Sequence, residues 1–250
     1  SAAVGDLGYL YRPGRLPTPM PKVSILIPTY NRWPLLEEAI GSVLAQSEAD
    51  WELIIVDDGS TDETVARLKE IDDNRITLLE HPHCGNPGQL RNFGARHARA
   101  NYLAFLDSDD LFEPDKLERQ LGALENAAWS WTESSRRLGD AKRRGEFGEG
   151  ANGADLAIGL MRHERAISTP TVMISRKVFE VVGGFDEVLF NCEDFDLWIR
   201  LALHADAVFI PELLTTSRAM DDRFPSPEGR VTESWARVFS KHTSHPTTKV

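Results

Sequence analysis

Two acids with one residue between them, Asp107 and Asp109, with Asp110 beside them, end the apolar run LAFL in the stretch LAFLDSDDLFEPD. Like charges packed this closely repel unless a positive group sits among them. Carboxylates converging from the end of a strand offer hard oxygen ligands of the kind Mn²⁺ or Mg²⁺ takes. Such an ion would hold a diphosphate and neutralise charge building on it as it leaves. The plainer reading is that DSDD caps the segment after it, since aspartate is favoured before helix starts. The motif alone leaves both readings open.

Other stretches carry chemistry of their own. Asp57 and Asp58 close ELIIVDD ahead of a glycine. Asp58 can accept hydrogen bonds from a base or ribose, as the acid after a strand does in other nucleotide folds; DDGSTD is also ordinary turn and cap chemistry. In GNPGQLRNFGARHA, Arg91 and Asn92 fall in a first helical turn behind a Gly-rich loop, a cradle for an anion that lacks the lysine of a P-loop. In NCEDFDLWIR, Glu193 and Asp194 open a helix. There they stabilise its dipole, or Asp194, held ionised by that dipole, takes a proton from a hydroxyl. His81, His83 and Cys84 look like a ligand cluster, but they sit in a Pro-interrupted loop with no partner spacing and read as a loop. The basic run Arg136, Arg137, Lys142, Arg143 and Arg144 reads as a solvated loop, and Trp129 and Trp131, at strand spacing, as core.

The elements needed to position these residues follow from periodicity. VSILIP (23–28) predicts a strand, and LLEEAIGSVLAQ a helix with Leu35, Leu36, Ala39, Ile40, Val43 and Leu44 on one face. WELIIVDD repeats the strand. STDETVARLKEI repeats the helix, with Ser60 and Glu63 spaced as a capping box. ITLLE, the loop HPHCGNPG, the helix QLRNFGARHARA and the strand YLAFLD complete the run. Strands alternating with helices imply a mostly parallel central sheet with helices on both faces. PTYNR, DDGSTD, HPHCGNPG and DSDD each follow a strand, at the edge where open α/β sheets bind ligands.

Past Leu124 the alternation fades. AAWSWTES predicts a strand, SRRLGDAKRRGEFGEGANG a loop or hairpin, and TPTVMIS (169–175) another strand. RKVFEVVGGFDE reads as a helix closed by Gly183 and Gly184. FDLWIRLAL is a short amphipathic helix, AVFIP a last strand, and the tail holds one candidate helix at 235–239.

The 250 residues are 41% apolar and 27% charged, enough for one sizeable core. A net charge of −11 removes the broad basic footprint of a nucleic-acid binder, so an anionic ligand must be met locally. The two cysteines, Cys84 and Cys192, lack CxxC spacing and fit a reducing compartment. No apolar stretch approaches the roughly 20 residues of a membrane span. The segment SAAVGDLGYLYRPGRLPTPMP has neither an initiator Met nor a signal-peptide core and is expected to be an extension.

VSILIPTYNR, ELIIVDDGSTDET, RNFGARHA, YLAFLDSDDLFEPDKL, VGGFDE and CEDFDLWIRL, in that order, closely resemble the family-2 glycosyltransferases of the GT-A fold, over about 23–211. The resemblance implies a Rossmann-like α/β single domain: extension 1–21, donor half 22–125, acceptor half 126–216, lid and tail 217–250. It implies an inverting, metal-dependent transfer from a nucleotide-diphosphate sugar, usually UDP-linked, to a hydroxyl on a sugar, lipid-linked or small-molecule acceptor. Residue by residue, it puts Pro28, Thr29, Tyr30, Arg32, Asp58, Arg91, Asp107 and Ser108 at the nucleotide, with Asp109 and Asp107 at Mn²⁺ or Mg²⁺. Asp194 becomes the catalytic base, supported by Glu193. Thr171, Trp198 and Arg218 are assigned to acceptor or diphosphate. No nucleic-acid partner is expected, and the implied location is cytoplasmic, with peripheral membrane contact allowed. The tail SRAMDDRFPSPEG departs from the family by lacking its histidine, and the basic insertion after Trp131 is atypical. A sugar nucleotidyltransferase would instead carry a Gly-rich basic loop where PTYNR stands, and a phosphatase would place DSD after the first strand. A binding module without turnover is the non-enzyme alternative.

Overall fold

The computed structural model describes residues 20–138, 141–144, 153–162, 164, 166–218 and 230–243. The expected extension therefore lies almost wholly outside the described residues, as does the lid beyond Arg218 up to residue 229.

The first half alternates as the periodicity requires: β1 (Val23–Thr29), α1 (Trp33–Leu44), β2 (Trp51–Asp57), α2 (Thr64–Glu70), β3 (Ile76–Glu80), α3 (Pro87–His97) and β4 (Tyr102–Phe105). β3, β2, β1 and β4 lie side by side in parallel. Along β1, Ile25 and Ile27 face one core cluster with the buried face of α1, while Leu26 faces a second cluster with α3. Both sides of the strand are covered, which is why it reads as a continuous apolar run instead of an alternating one.

Two local expectations change. In α1, Trp33, Leu36, Ala39, Ile40 and Val43 are buried, but Leu44 at the last turn is 45% exposed. The expected capping box on α2 does not form: the Ser60 hydroxyl accepts from the Asn31 amide, and Asp62 accepts from Thr64 N at 2.9 Å. Ser60 is drawn to the loop after β1, which cross-links two motifs on the rim.

The second half adds β5 (Leu111–Phe112), α4 (Lys116–Ala123), β6 (Trp129–Leu138), β7 (Ala141–Arg144), α5 (Gly153–Met161), a 3₁₀ turn at Thr169–Thr171, β8 (Val172–Ser175), α6 (Arg176–Val182), α7 (Glu193–His204), β9 (Ala207–Arg218) and α8 (Arg230–Thr243). The sheet continues from β4 through β8, β6 and β9 to β5, with β7 paired to β6 as a hairpin. Here the pairing is mixed: β8 runs antiparallel to β4 and β6, and β6 runs parallel to β9. The basic run falls on the β6–β7 hairpin, with Arg136 opposite Arg143 and Arg137 opposite Lys142. The segment TPT is a 3₁₀ turn, so β8 starts later than expected. The predicted strand AVFIP is much longer: β9 continues through ELLTTSR to Arg218, bulged against β6 between Thr132 and Ser134, and pairs with β5 at Thr215 and Thr216. Ser217 and Arg218 are thus strand residues. This extension lays the end of β9 against the DSDD turn.

Trp129 and Trp131 are core, as expected, and Trp129 stacks on Trp198 with ring centroids 6.2 Å apart. α6 ends at Gly183 and Gly184, both at positive φ. The turn after them is tied to α3 by Asn92, whose amide donates to Phe185 O and whose Oδ1 accepts from Phe185 N. That tie brings the start of α7 beside Arg91.

Candidate functional site

The four rim motifs and the end of β9 surround one cavity of about 420 Å³. Pro28, Thr29, Tyr30 and Arg32 enter it from the end of β1, Asp58 from the end of β2, Arg91 from α3, and Asp107, Ser108 and Asp109 from the turn after β4. Every residue expected at the nucleotide or the metal therefore lines this one wall, and Arg218 lines it too.

The charges inside are paired in a definite way. Arg91 is buried and forks between two acids, Nη1 donating to Glu193 at 3.1 Å and Nη2 to Asp107 at 2.5 Å. Burial works against its charge, but Asp107 and Glu193 outweigh it and hold its pKa above the ordinary value. Arg32 donates to Asp109 at 2.8 Å. Asp110 turns inward, accepting from the Arg218 amide at 2.9 Å. Burial first, then the charges of Asp107 and Asp109, push its carboxyl up to about 8.

Whether a divalent ion suits the site rests on the donors: those of Asp107 and Asp109 facing the cavity are hard carboxylate oxygens. Asp107 and Asp109 fit Mn²⁺ or Mg²⁺ by donor chemistry.

Asp58 does two things at once. Its Oδ1 accepts from Cys84 N at 2.7 Å and its Oδ2 from Gly85 N at 2.9 Å, so it anchors the loop after β3 while lining the cavity. Asp57 behaves as turn chemistry, its Oδ2 accepting from the Gly59 and Ser60 amides. His83 stacks on Tyr30 with centroids 4.4 Å apart.

Glu193 and Asp194 stand behind the wall. Asp194 Oδ1 accepts from Phe195 N at 2.8 Å and its Oδ2 from the Thr169 hydroxyl at 3.3 Å. The expectation that the helix dipole keeps Asp194 at low pKa is corrected: burial first, then the charge of Glu193, push it up to about 7 against the pull of the Phe195 amide and Arg91. Trp198 is fully buried, its ring nitrogen donating to Ile167 O at 3.1 Å, so it seats α7 and does not reach a ligand. Thr171 is also buried and donates to Ser168 O at 2.6 Å, which places Ser168 in the wall. The Arg218 guanidinium is engaged by Glu38, Leu35 O and Asp109 O, which clamps α1 to the DSDD turn.

Sequence reasoning missed Asn86, Asp110, Ser168, Asn191 and Ser217 as wall residues. Asn86 was within reach, since it caps α3 by accepting from Gln89 N at 3.0 Å ahead of a proline at the first turn. Ser168 and Asn191 carry no local signal. His81 and Cys84, read as plain loop, converge with Asp58, because the missing partner comes from the neighbouring strand.

The chain matches the model of the family described as glycosyl transferase family 2 over residues 24–182. It is 36% identical over 186 residues to an uncharacterized glycosyltransferase of Rickettsia felis, covering 72% of this chain and 30% of that relative. It is 39% identical over 102 residues to the Escherichia coli UDP-Glc:alpha-D-GlcNAc-diphosphoundecaprenol beta-1,3-glucosyltransferase WfgD, covering 41% of this chain and 40% of WfgD. The chain thus spans well under half the length of these relatives. Among solved structures, residues 1–349 of S. aureus TarS in complex with UDP-GlcNAc superpose with a TM-score of 0.73 at 20% identity, covering 90% of this chain and 67% of that one. The mannosyltransferase PcManGT from Pyrobaculum calidifontis, in complex with GDP-Man and Mn²⁺, superposes with a TM-score of 0.65 at 18% identity, covering 94% of this chain and 67% of that one. These likenesses agree with the mixed α/β, GT-A architecture, and the match over most of the sheet assigns the chain to glycosyl transferase family 2.

Proposed function

We propose that the protein transfers a sugar, with inversion, from a UDP-sugar to a hydroxyl of a lipid-linked acceptor, with Mn²⁺ or Mg²⁺ as cofactor. The observation that carries the proposal is the chain of contacts from cavity to base: Arg91 joins Asp107, in the cavity wall, to Glu193, the neighbour of Asp194. WfgD, by its name, uses UDP-Glc and a diphosphoundecaprenol-linked acceptor, which supports the UDP donor and the lipid-linked acceptor. No helix among the described residues is long and apolar enough to cross a membrane. We further propose that a lipid-linked acceptor is met by peripheral contact at the cytoplasmic face.

In this mechanism Asp58, with Thr29 and Tyr30 beside it, holds the base. A divalent ion on Asp107 and Asp109 would supply the positive charge that offsets the leaving diphosphate. Arg32 and Arg91 hold those two acids in place and add positive charge beside them. Asp194, with a pKa near neutrality, takes the proton of the attacking hydroxyl, the condition under which general-base catalysis is effective near pH 7. Glu193 is held by Arg91 and keeps its negative charge close to Asp194, which raises the affinity of that base for a proton. The transition state should have oxocarbenium character, as in other glycosyl transfers.

The test is Asp194→Asn with UDP-glucose and UDP-GlcNAc as donors and polyprenyl-diphosphate-linked N-acetylglucosamine as acceptor. Transfer should fall by at least about 100-fold while UDP affinity is unchanged. Equal loss of UDP binding would remove Asp194 from the role of base.

A further inference from the structure

We propose that Asp58, His81 and Cys84 form a second metal site, one for a thiophilic divalent ion of the Zn²⁺ type, separate from the all-oxygen pair Asp107 and Asp109. One ligand atom from each of the three lies within 4.8 Å of the others. The sheet sets this convergence. In the parallel register of β2 and β3, Asp57 is opposite Glu80, so Asp58 and His81 are the next residues on adjacent strands, and His81 N donates to Asp57 O at 2.8 Å. Cys84 is then held in reach because its own amide and that of Gly85 donate to the Asp58 carboxylate. Oδ2 faces both the Gly85 amide and His83 Nδ1, which is 3.0 Å away, while Oδ1 accepts only from the Cys84 amide, so Oδ1 has the lone pair to which a metal bond can be added without breaking either amide bond.

The histidine is set up for ligation. Its Nδ1 lies 2.6 Å from Pro82 O, and because a carbonyl only accepts, Nδ1 carries the proton and Nε2 keeps its lone pair. An imidazole N–H fixed on a backbone carbonyl is the usual support of a metal-binding histidine. Thiolate, imidazole and carboxylate together favour Zn²⁺ over Mg²⁺. Three protein ligands also leave the fourth tetrahedral position open to water or an incoming group. The thiol proton leaves to solvent as the metal–sulfur bond forms. Since Asp58 also lines the cavity, an ion here sits at its edge.

The experiment reads metal alone, so its outcome is independent of the donor reading. The metal-free full chain is titrated with Co²⁺ under reducing conditions and followed by absorption. A single equivalent should give a thiolate-to-cobalt charge-transfer band in the near ultraviolet with the visible bands of a tetrahedral ion, and Zn²⁺ should displace it. The band should be lost in Cys84→Ser, persist in Cys192→Ser and Asp109→Asn, and form with at least about tenfold weaker affinity in His81→Asn. Cys192→Ser assigns the sulfur without altering the site, so the result does not depend on the folding of Cys84→Ser. No thiolate band in the wild type, or a band that disappears in folded Cys192→Ser, would overturn the proposal.

Discussion

Asp194 illustrates how a residue's environment sets its chemistry. An exposed aspartate in a first helical turn is stabilised as an anion. Here burial and the adjacent Glu193 charge reverse that preference, and the carboxyl rises to about 7. Two consequences carry opposite signs. If Asp194 is the base, kcat/KM falls about tenfold per unit as pH drops below about 7, because only the ionised form accepts a proton; a profile flat from about pH 5 to 8 would remove Asp194 from that role. For stability, a folded pKa above the unfolded value means that ionisation destabilises the fold as pH rises from about 4 to about 7. Asp194→Asn should therefore raise Tm at about pH 8 in a scan run beside the transfer assay, so that lost turnover accompanies gained stability. A lowered Tm would mean that its contacts with Thr169 and Phe195 outweigh the cost of burying the charge.

At the scale of elements, the cavity depends on joints between helices and strands that are far apart in sequence. The joint from α6 to α7 is one. Gly184 has φ +67°, and a Cβ there would lie 2.6 Å from Asn92 Oδ1, the atom that holds Phe185 N. Gly183 has φ +92° with nothing within 4 Å of its Cβ position. Both alanine variants bear the left-handed penalty of about 1–2 kcal/mol, but only Gly184→Ala also pushes α3 from the turn. Gly184→Ala should show the lower urea midpoint of the two, and equal midpoints would mean that Asn92 moves aside freely. The same joints mark where sequence reading stopped. β1, β2 and α3 announce themselves through local period and caps. β9 does not: its apolar run ends at Ile210, while the strand continues through Thr215 and Thr216, buried polar residues whose place is set by β5 and β6 from elsewhere in the chain. Ser60 and Glu63 had the spacing of a capping box, but Asn31 took Ser60, and no local rule contains Asn31.

Across the whole molecule, one buried acid fastens α8 to α7. Asp196 is fully buried and accepts from Arg200 and Lys241, with His242 Nε2 at 2.8 Å. Burial is outweighed by His242, Arg200 and Lys241, which hold its carboxyl well below the usual range. Arg200 in turn donates to Val182 O and Gly184 O, so the network links α8, α7 and the glycine turn. Asp196→Ala removes the acid that Arg200, Lys241 and the buried His242 share, and with it the charge that ties α8 to α7. The expected loss is about 3 kcal/mol, or roughly 6–12 °C of Tm for a chain of this size. The wild-type contribution of Asp196 should be present above about pH 4 and fade as pH falls toward its depressed folded value. An unchanged Tm would mean that the bonds of Asp196 to Arg200, Lys241 and His242 contribute nothing net to global stability.

The rim of the site was legible because strand ends gather motifs at one edge of a parallel sheet, and each expected nucleotide or metal residue does line the cavity. Thr171 and Trp198 were not assignable from type alone, since burial depends on α7 and β6 packing around them. In the proposed reaction the acids after β4 hold a divalent ion for a nucleotide diphosphate. Calorimetric titration of UDP in Mn²⁺ and again in EDTA addresses it most directly. Saturable binding is expected in Mn²⁺, weakening at least about tenfold in EDTA and equally in Asp109→Asn. UDP affinity that is the same with and without the metal would contradict it.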